Sequence, residues 1–128
     1  MEITLDTHTL IWYVVKKLNG RLSKKALETI KKAEADGVIY ISVIVLMETL
    51  HLAERGRITL SLDKLLEDIE KSSNYRIISF DTKLLQIAAT LKGLEAHDRL
   101  ILATAILTNS YLVSKDKELR DKWKNTVW

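Results

Sequence analysis

Asp6, Glu48, Asp81, Asp98 and Asp116 are the acids whose positions single them out for chemistry. Asp6, Asp81 and Asp116 come at or just after the ends of short apolar segments, while Glu48 and Asp98 lie in the first turns of apolar helical ones. Carboxylates gathered in one place repel, and each raises the pKa of the others unless a cation holds them. Oxygen ligands without cysteine favour a hard ion, and magnesium keeps several waters and binds through few carboxylates plus substrate phosphate. Such a centre can polarise a phosphoryl group, lower the pKa of an attacking water and stabilise a leaving oxygen. Singly, each Asp has an ordinary explanation, because Asp caps helices and stabilises the positive end of the helix dipole. Glu48 is harder to dismiss: it interrupts the apolar run Val43 to Met47 well inside a helix, where a cap has no use.

Elements that would position these acids can be traced along the chain. Glu2 to Leu5 alternates polar and apolar and stops at Asp6, predicting a strand followed by a helix from about Thr7 to Leu18. Ser23 caps a second helix, with Ala26, Leu27, Ile30 and Ala33 on its apolar stripe, and Val38 to Ile41 is a buried strand. Ser42 caps a third helix, and a fourth runs from Ser61 or Leu62 to Lys71. Arg76 to Phe80 is a strand, Asp81 begins a helix through Leu91, and Asp98 starts a strongly apolar helix to about Thr108. Tyr111 to Ser114 is a further strand, and a short charged helix from Asp116 to Trp123 leads to a last strand over Thr126 to Trp128.

Strands alternating with helices require right-handed crossovers and a mainly parallel sheet of four or five strands covered on both faces. The expected architecture is therefore an α/β three-layer sandwich, one domain over residues 1–128. In such sheets ligands bind beyond the carboxyl ends of the strands, where Asp6, Thr7, Ser42, Asp81, Ser114 and Asp116 fall. All four glycines, Gly20, Gly37, Gly56 and Gly93, follow helices, where a left-handed residue closes the last turn. That leaves no glycine-rich loop for a nucleotide phosphate and argues against an ATP- or NAD-dependent function.

The chain has no cysteine, which removes disulfides, thiolate zinc sites and thiol nucleophiles together and fits the cytoplasm. Its longest apolar runs are too short to span a bilayer, and no export signal is visible. A net charge of +3 makes a polyanion an admissible partner without requiring one. Lys115, Lys117, Arg120, Lys122 and Lys124 cluster around Asp116, a pattern that also describes a solvated helix face.

The order of motifs resembles a PIN-domain ribonuclease, specifically a VapC-type toxin of a toxin–antitoxin pair. The resemblance rests on Leu5-Asp6-Thr7-His8, Met47-Glu48-Thr49, the run from Asp98-Arg99-Leu100 to Ala105, and Leu112-Val113-Ser114-Lys115-Asp116, and it covers almost the whole chain. It implies that Asp6, Glu48, Asp98 and Asp116 bind one or two magnesium or manganese ions and activate water for attack on RNA. Thr7 and Ser114 would orient a ligand, a water or a phosphate, with ordinary capping as the equal alternative. The family's sheet order puts the first and fourth strands together in the middle and the third at an edge, which leaves Asp81 as a helix cap. Glu95 reads as a solvated loop residue. The resemblance further implies RNA as substrate, a separately encoded antitoxin over the acidic cleft, and a homodimer.

His8, His51 and His97 each accompany a proposed ligand, and mixed ligation would favour zinc, manganese or iron. Helix geometry turns neighbours such as His97 and Asp98 apart, so the histidines are set aside as surface or supporting residues. Arg99 suits either an RNA phosphate or a surface ion pair, and Trp12 suits the core. Two other functions stay open: a non-catalytic module that keeps its acids for stability or docking, and a structure-specific DNA nuclease.

Overall fold

The first strand, β1 (Glu2–Leu5), lies at the centre of the sheet, with Ile3, Thr4 and Leu5 all buried. Burial of successive residues means that both faces are covered, as in a parallel sheet between helices. The computed structural model describes every residue from Met1 to Trp128. Strands β2 (Val38–Ser42), β3 (Tyr75–Ile78), β4 (Tyr111–Val113) and β5 (Thr126–Val127) complete a wholly parallel sheet in the order β3-β2-β1-β4-β5. The helices are α1 (Thr7–Val14), α2 (Lys24–Asp36), α3 (Val43–Glu54), α4 (Leu62–Lys71), α5 (Thr82–Ala89), α6 (Ala96–Thr108) and α7 (Lys117–Lys122). The expected α/β sandwich is present, with β1 and β4 side by side and β3 at an edge. No helix is long and apolar enough to cross a membrane.

Register between the two central strands decides which residues emerge together at the carboxyl edge. Leu5 lies opposite Val113, so Asp6 and Ser114 leave the sheet at the same level. A buried hydrogen bond of 2.6 Å between the hydroxyls of Thr4 and Ser110 helps hold that register, and Ser110 also meets Thr108 at 2.8 Å. Around these strands Ile3, Leu5, Ile39, Ile41 and Leu112 pack against Leu10, Ile30, Val45, Leu102 and Ala105 from the flanking helices. A separate cluster of Leu84, Ala88, Leu100 and Ala103 seats α5 on α6.

Several boundaries differ from those expected. The first helix ends at Val14 rather than Leu18, and Lys16–Arg21 forms a tighter 3-10 turn. Asn19 explains the change, because its side-chain amide donates to the carbonyls of Trp12 and Tyr13 at 2.5 and 2.9 Å, taking the place of continuing helical amides. Helix α6 begins at Ala96 with Glu95 as its cap, so Asp98 lies inside the first turn instead of starting the helix. The edge strand runs from Tyr75 to Ile78 rather than from Arg76 to Phe80.

Of the four glycines only Gly56 and Gly93 adopt positive φ, so the left-handed reading fails at the other two. Gly20 sits in the 3-10 turn, and Gly37 has φ −122°. What Gly37 supplies is clearance: a Cβ there would lie 2.0 Å from the Met1 carbonyl oxygen, which accepts a hydrogen bond from Val38. Helix α6 ends on Asn109 in the left-handed region at φ 51°, a role Asn fills better than most residues with a side chain.

Candidate active site

Asp6 follows β1 directly and caps α1, its Oδ1 accepting from the Thr9 amide at 2.9 Å. Its other oxygen accepts a short hydrogen bond from the Ser114 hydroxyl, which in turn accepts from the Asp116 amide at 3.0 Å. Ser114 thus ties the end of β1 to the start of α7. Asp116 caps α7 by accepting from the amides of Glu118 and Leu119. Burial drives the Asp6 carboxyl above its ordinary range, and the hydrogen bonds from Ser114 and Thr9 act in the opposite direction.

Glu48, the acid without a capping role, faces two partners. Thr7 donates its hydroxyl to Oε1 at 2.5 Å, and Nδ1 of His97 lies 3.1 Å from Oε2. Thr7 therefore orients a carboxylate. His97, set aside as a surface or supporting residue, takes the supporting role: it meets Glu48 across the gap between α3 and α6.

These side chains line one open cavity of about 470 Å³ bounded by Asp6, Thr7, Thr9, Glu48, Asp98 and Asp116, with Glu95, Lys115 and three further residues around it. Asp98 carries the clearest mark of its surroundings. Its carboxyl is pushed up to about 6, first by burial and then by the negative charges of Asp116, Glu95, Asp6 and Glu48. Acids from separate parts of the chain therefore meet in the field felt by Asp98.

Sequence reasoning missed three contributors. Glu95, set aside as a loop residue, caps α6, accepts from the His97 amide and adds to the charge around Asp98. Thr9 gives Asp6 its amide, and its own buried hydroxyl has no partner. Lys115 brings the one Lys or Arg side chain to the cavity wall. Asp81 caps α5, accepting from the Leu84 amide at 3.0 Å, and lies outside the cavity. Arg99 is also outside: its Nε donates to the Leu94 carbonyl at 3.1 Å, and it pairs with no acid, contrary to the ion-pair alternative.

The donor set suits a hard divalent cation. Its members are carboxylate oxygens, and the negative charges of Asp116, Glu95, Asp6 and Glu48 add to burial in raising the Asp98 carboxyl. No three of its acidic or histidine groups converge closely enough to hold an ion by themselves.

A wholly parallel five-stranded sheet with carboxylates collected beyond its central strands matches the PIN domain family, whose model covers residues 3–124; the chain belongs to that family. It is 30% identical over 121 residues to Ribonuclease VapC22 of Mycobacterium tuberculosis, a match spanning 92% of this chain and 89% of that one. Among solved structures it superposes on VapBC2 of Rickettsia felis bound to a DNA fragment from their promoter, with TM-score 0.71, 20% identity and coverage of 98% and 96%. A toxin–antitoxin complex from Klebsiella pneumoniae gives TM-score 0.70 at the same identity and coverage.

Proposed function

We propose that this chain is a divalent-metal-dependent endoribonuclease, the toxin of a VapBC-type toxin–antitoxin pair. The observation that carries the reading is the gathering of Asp6, Glu48, Asp98 and Asp116 in one open cavity, where the Asp98 carboxyl is raised first by burial and then by the charges of Asp116, Glu95, Asp6 and Glu48. The relative named a ribonuclease and the structural likeness to toxin–antitoxin complexes support the same function. Asp6, Glu48, Asp98 and Asp116 are the residues that would hold magnesium or manganese, which would supply a Lewis acid and an activated water when bound. The protein's own groups do the positioning: Thr7 and His97 fix Glu48, Ser114 fixes Asp6 against Asp116, and Lys115 offers a cation to a phosphate. Its setting would be the cytoplasm, with an antitoxin covering the acidic cavity.

Purified Asp98→Asn should lose magnesium- or manganese-dependent RNA cleavage by at least about a hundredfold while keeping its circular dichroism spectrum. EDTA should silence the wild type, and restored cation should revive it. Matched RNA and DNA strands separate a ribonuclease from a DNA nuclease. The spacing of the acids, too wide for three to grip an ion unaided, is the feature that favours a non-catalytic module. Calorimetry showing no divalent binding, together with EDTA-insensitive behaviour, would establish that alternative.

A further inference from the structure

All three histidines of the chain line a second hollow, of about 410 Å³, beside the acidic one. Its walls come from Thr7 and His8 on α1, Ile44, Met47, Glu48, His51 and Leu52 on α3, and His97 on α6. Thr7, His8 and Glu48 belong to both hollows, so the two are continuous. Their chemistry differs. Lys115 and four further carboxylates line the acidic cavity, whereas the histidine hollow has no Lys or Arg and combines flat imidazoles with Ile44, Met47 and Leu52.

We propose that this hollow receives an unpaired nucleobase next to the phosphate held at the carboxylates, making it a specificity subsite of the nuclease. The proposal rests on the ribonuclease reading. A phosphate has nothing cationic to pair with there unless a histidine is protonated, but a base has suitable surfaces. Its π face stacks on imidazole or packs on apolar side chains, and its edge meets ring nitrogens and the Thr7 hydroxyl. Single-stranded RNA is read in this way, by bases splayed from the backbone into pockets beside it. Continuity through Thr7, His8 and Glu48 lets one nucleotide span both hollows, with phosphate among the acids and base among the histidines.

His51 and Met47 are the residues to change, since both line only the second hollow and both are exposed. A pool of short single-stranded RNAs cut by wild type, His51→Ala and Met47→Trp, with the cut sites sequenced, reads the base beside the break. Wild type should prefer particular bases there, and the variants should lose about tenfold in kcat/KM on preferred sites while cutting disfavoured ones nearly as before. Identical cut-site profiles for all three proteins would overturn the subsite and leave the nuclease standing.

A parallel measurement does not depend on cleavage. In metal-free protein, the ring protons of His51 and His97 should shift on adding a trinucleotide RNA and stay in place with inorganic phosphate. No shift with any of the four bases would overturn the proposal even if RNA is cut, and a shift would sustain base binding even if no cleavage were found. Should either substitution instead change the mass in solution, with base preference intact, the hollow would be an interface between copies and the proposal would fall.

Discussion

In the folded chain Asp98 keeps its proton to about pH 6, whereas in the unfolded chain it titrates near 3.8. Folding therefore takes up a proton in that interval, and the stability attached to the protonated carboxyl is complete below the unfolded value and lost as pH rises through 6. In EDTA the wild type should melt at lower temperature at pH 7 than this group would allow at pH 4. Asp98→Asn should remove that part of the decline and raise the melting temperature at pH 7 by a few degrees. Melting curves of both proteins across the interval provide the check, and parallel pH dependence would refute the raised Asp98 carboxyl. Ser114→Ala tests the tie between Asp6 and Asp116. Leaving a buried carboxylate oxygen short of its donor should cost about 1–3 kcal/mol in denaturant unfolding. The loss of alignment should lower cleavage by about 10- to 100-fold, a magnitude typical of partners that orient metal-binding groups.

At the scale of elements, Gly37 joins α2 to β2 at a point with no room for a Cβ. Gly37→Ala should cost at least about 1–3 kcal/mol, because the obstructing atom is backbone and cannot rotate away. Gly20→Ala, where nothing lies within 4 Å and φ is not positive, should be nearly neutral. Urea midpoints of the two variants compare these expectations directly. The contrast also shows what sequence can carry. The strand end at Asp6 and the parallel sheet were legible because the alternation stops at Asp6 and helical segments intervene between strands, while the strand order came only with the family resemblance. Glu48 was legible as an acid in an apolar run. Clearance at Gly37 was not, since it depends on where Met1 passes, and neither was the meeting of His97 with Glu48, 49 residues away on another helix. Asp81 and Asp6 look alike locally, both capping helices after strands, and only the position of β3 at the sheet's edge separates them.

For the whole molecule, the exposed Ile77, Phe80 and Leu85 gather along β3, the loop after it and α5. The homodimer implied by the family resemblance would cover apolar surface of this kind. Light scattering should give twice the chain mass for wild type, and Phe80→Asp with Leu85→Lys should give a folded monomer; an unchanged mass would move the interface elsewhere. Another property of the whole chain concerns time. The hydrogen bond from Ser114 to Asp6 closes a loop of 108 residues, and β1 cannot be flanked on both sides until β4 has been made. A growing chain that has reached the end of α6 already contains Asp6, Glu48 and Asp98 but lacks Ser114 and Asp116. Long-range parallel pairing of this sort is slow and comes late in folding. During synthesis the chain thus carries an unfinished cavity and an open edge on its central strand, and its chemistry starts only when its final segment arrives.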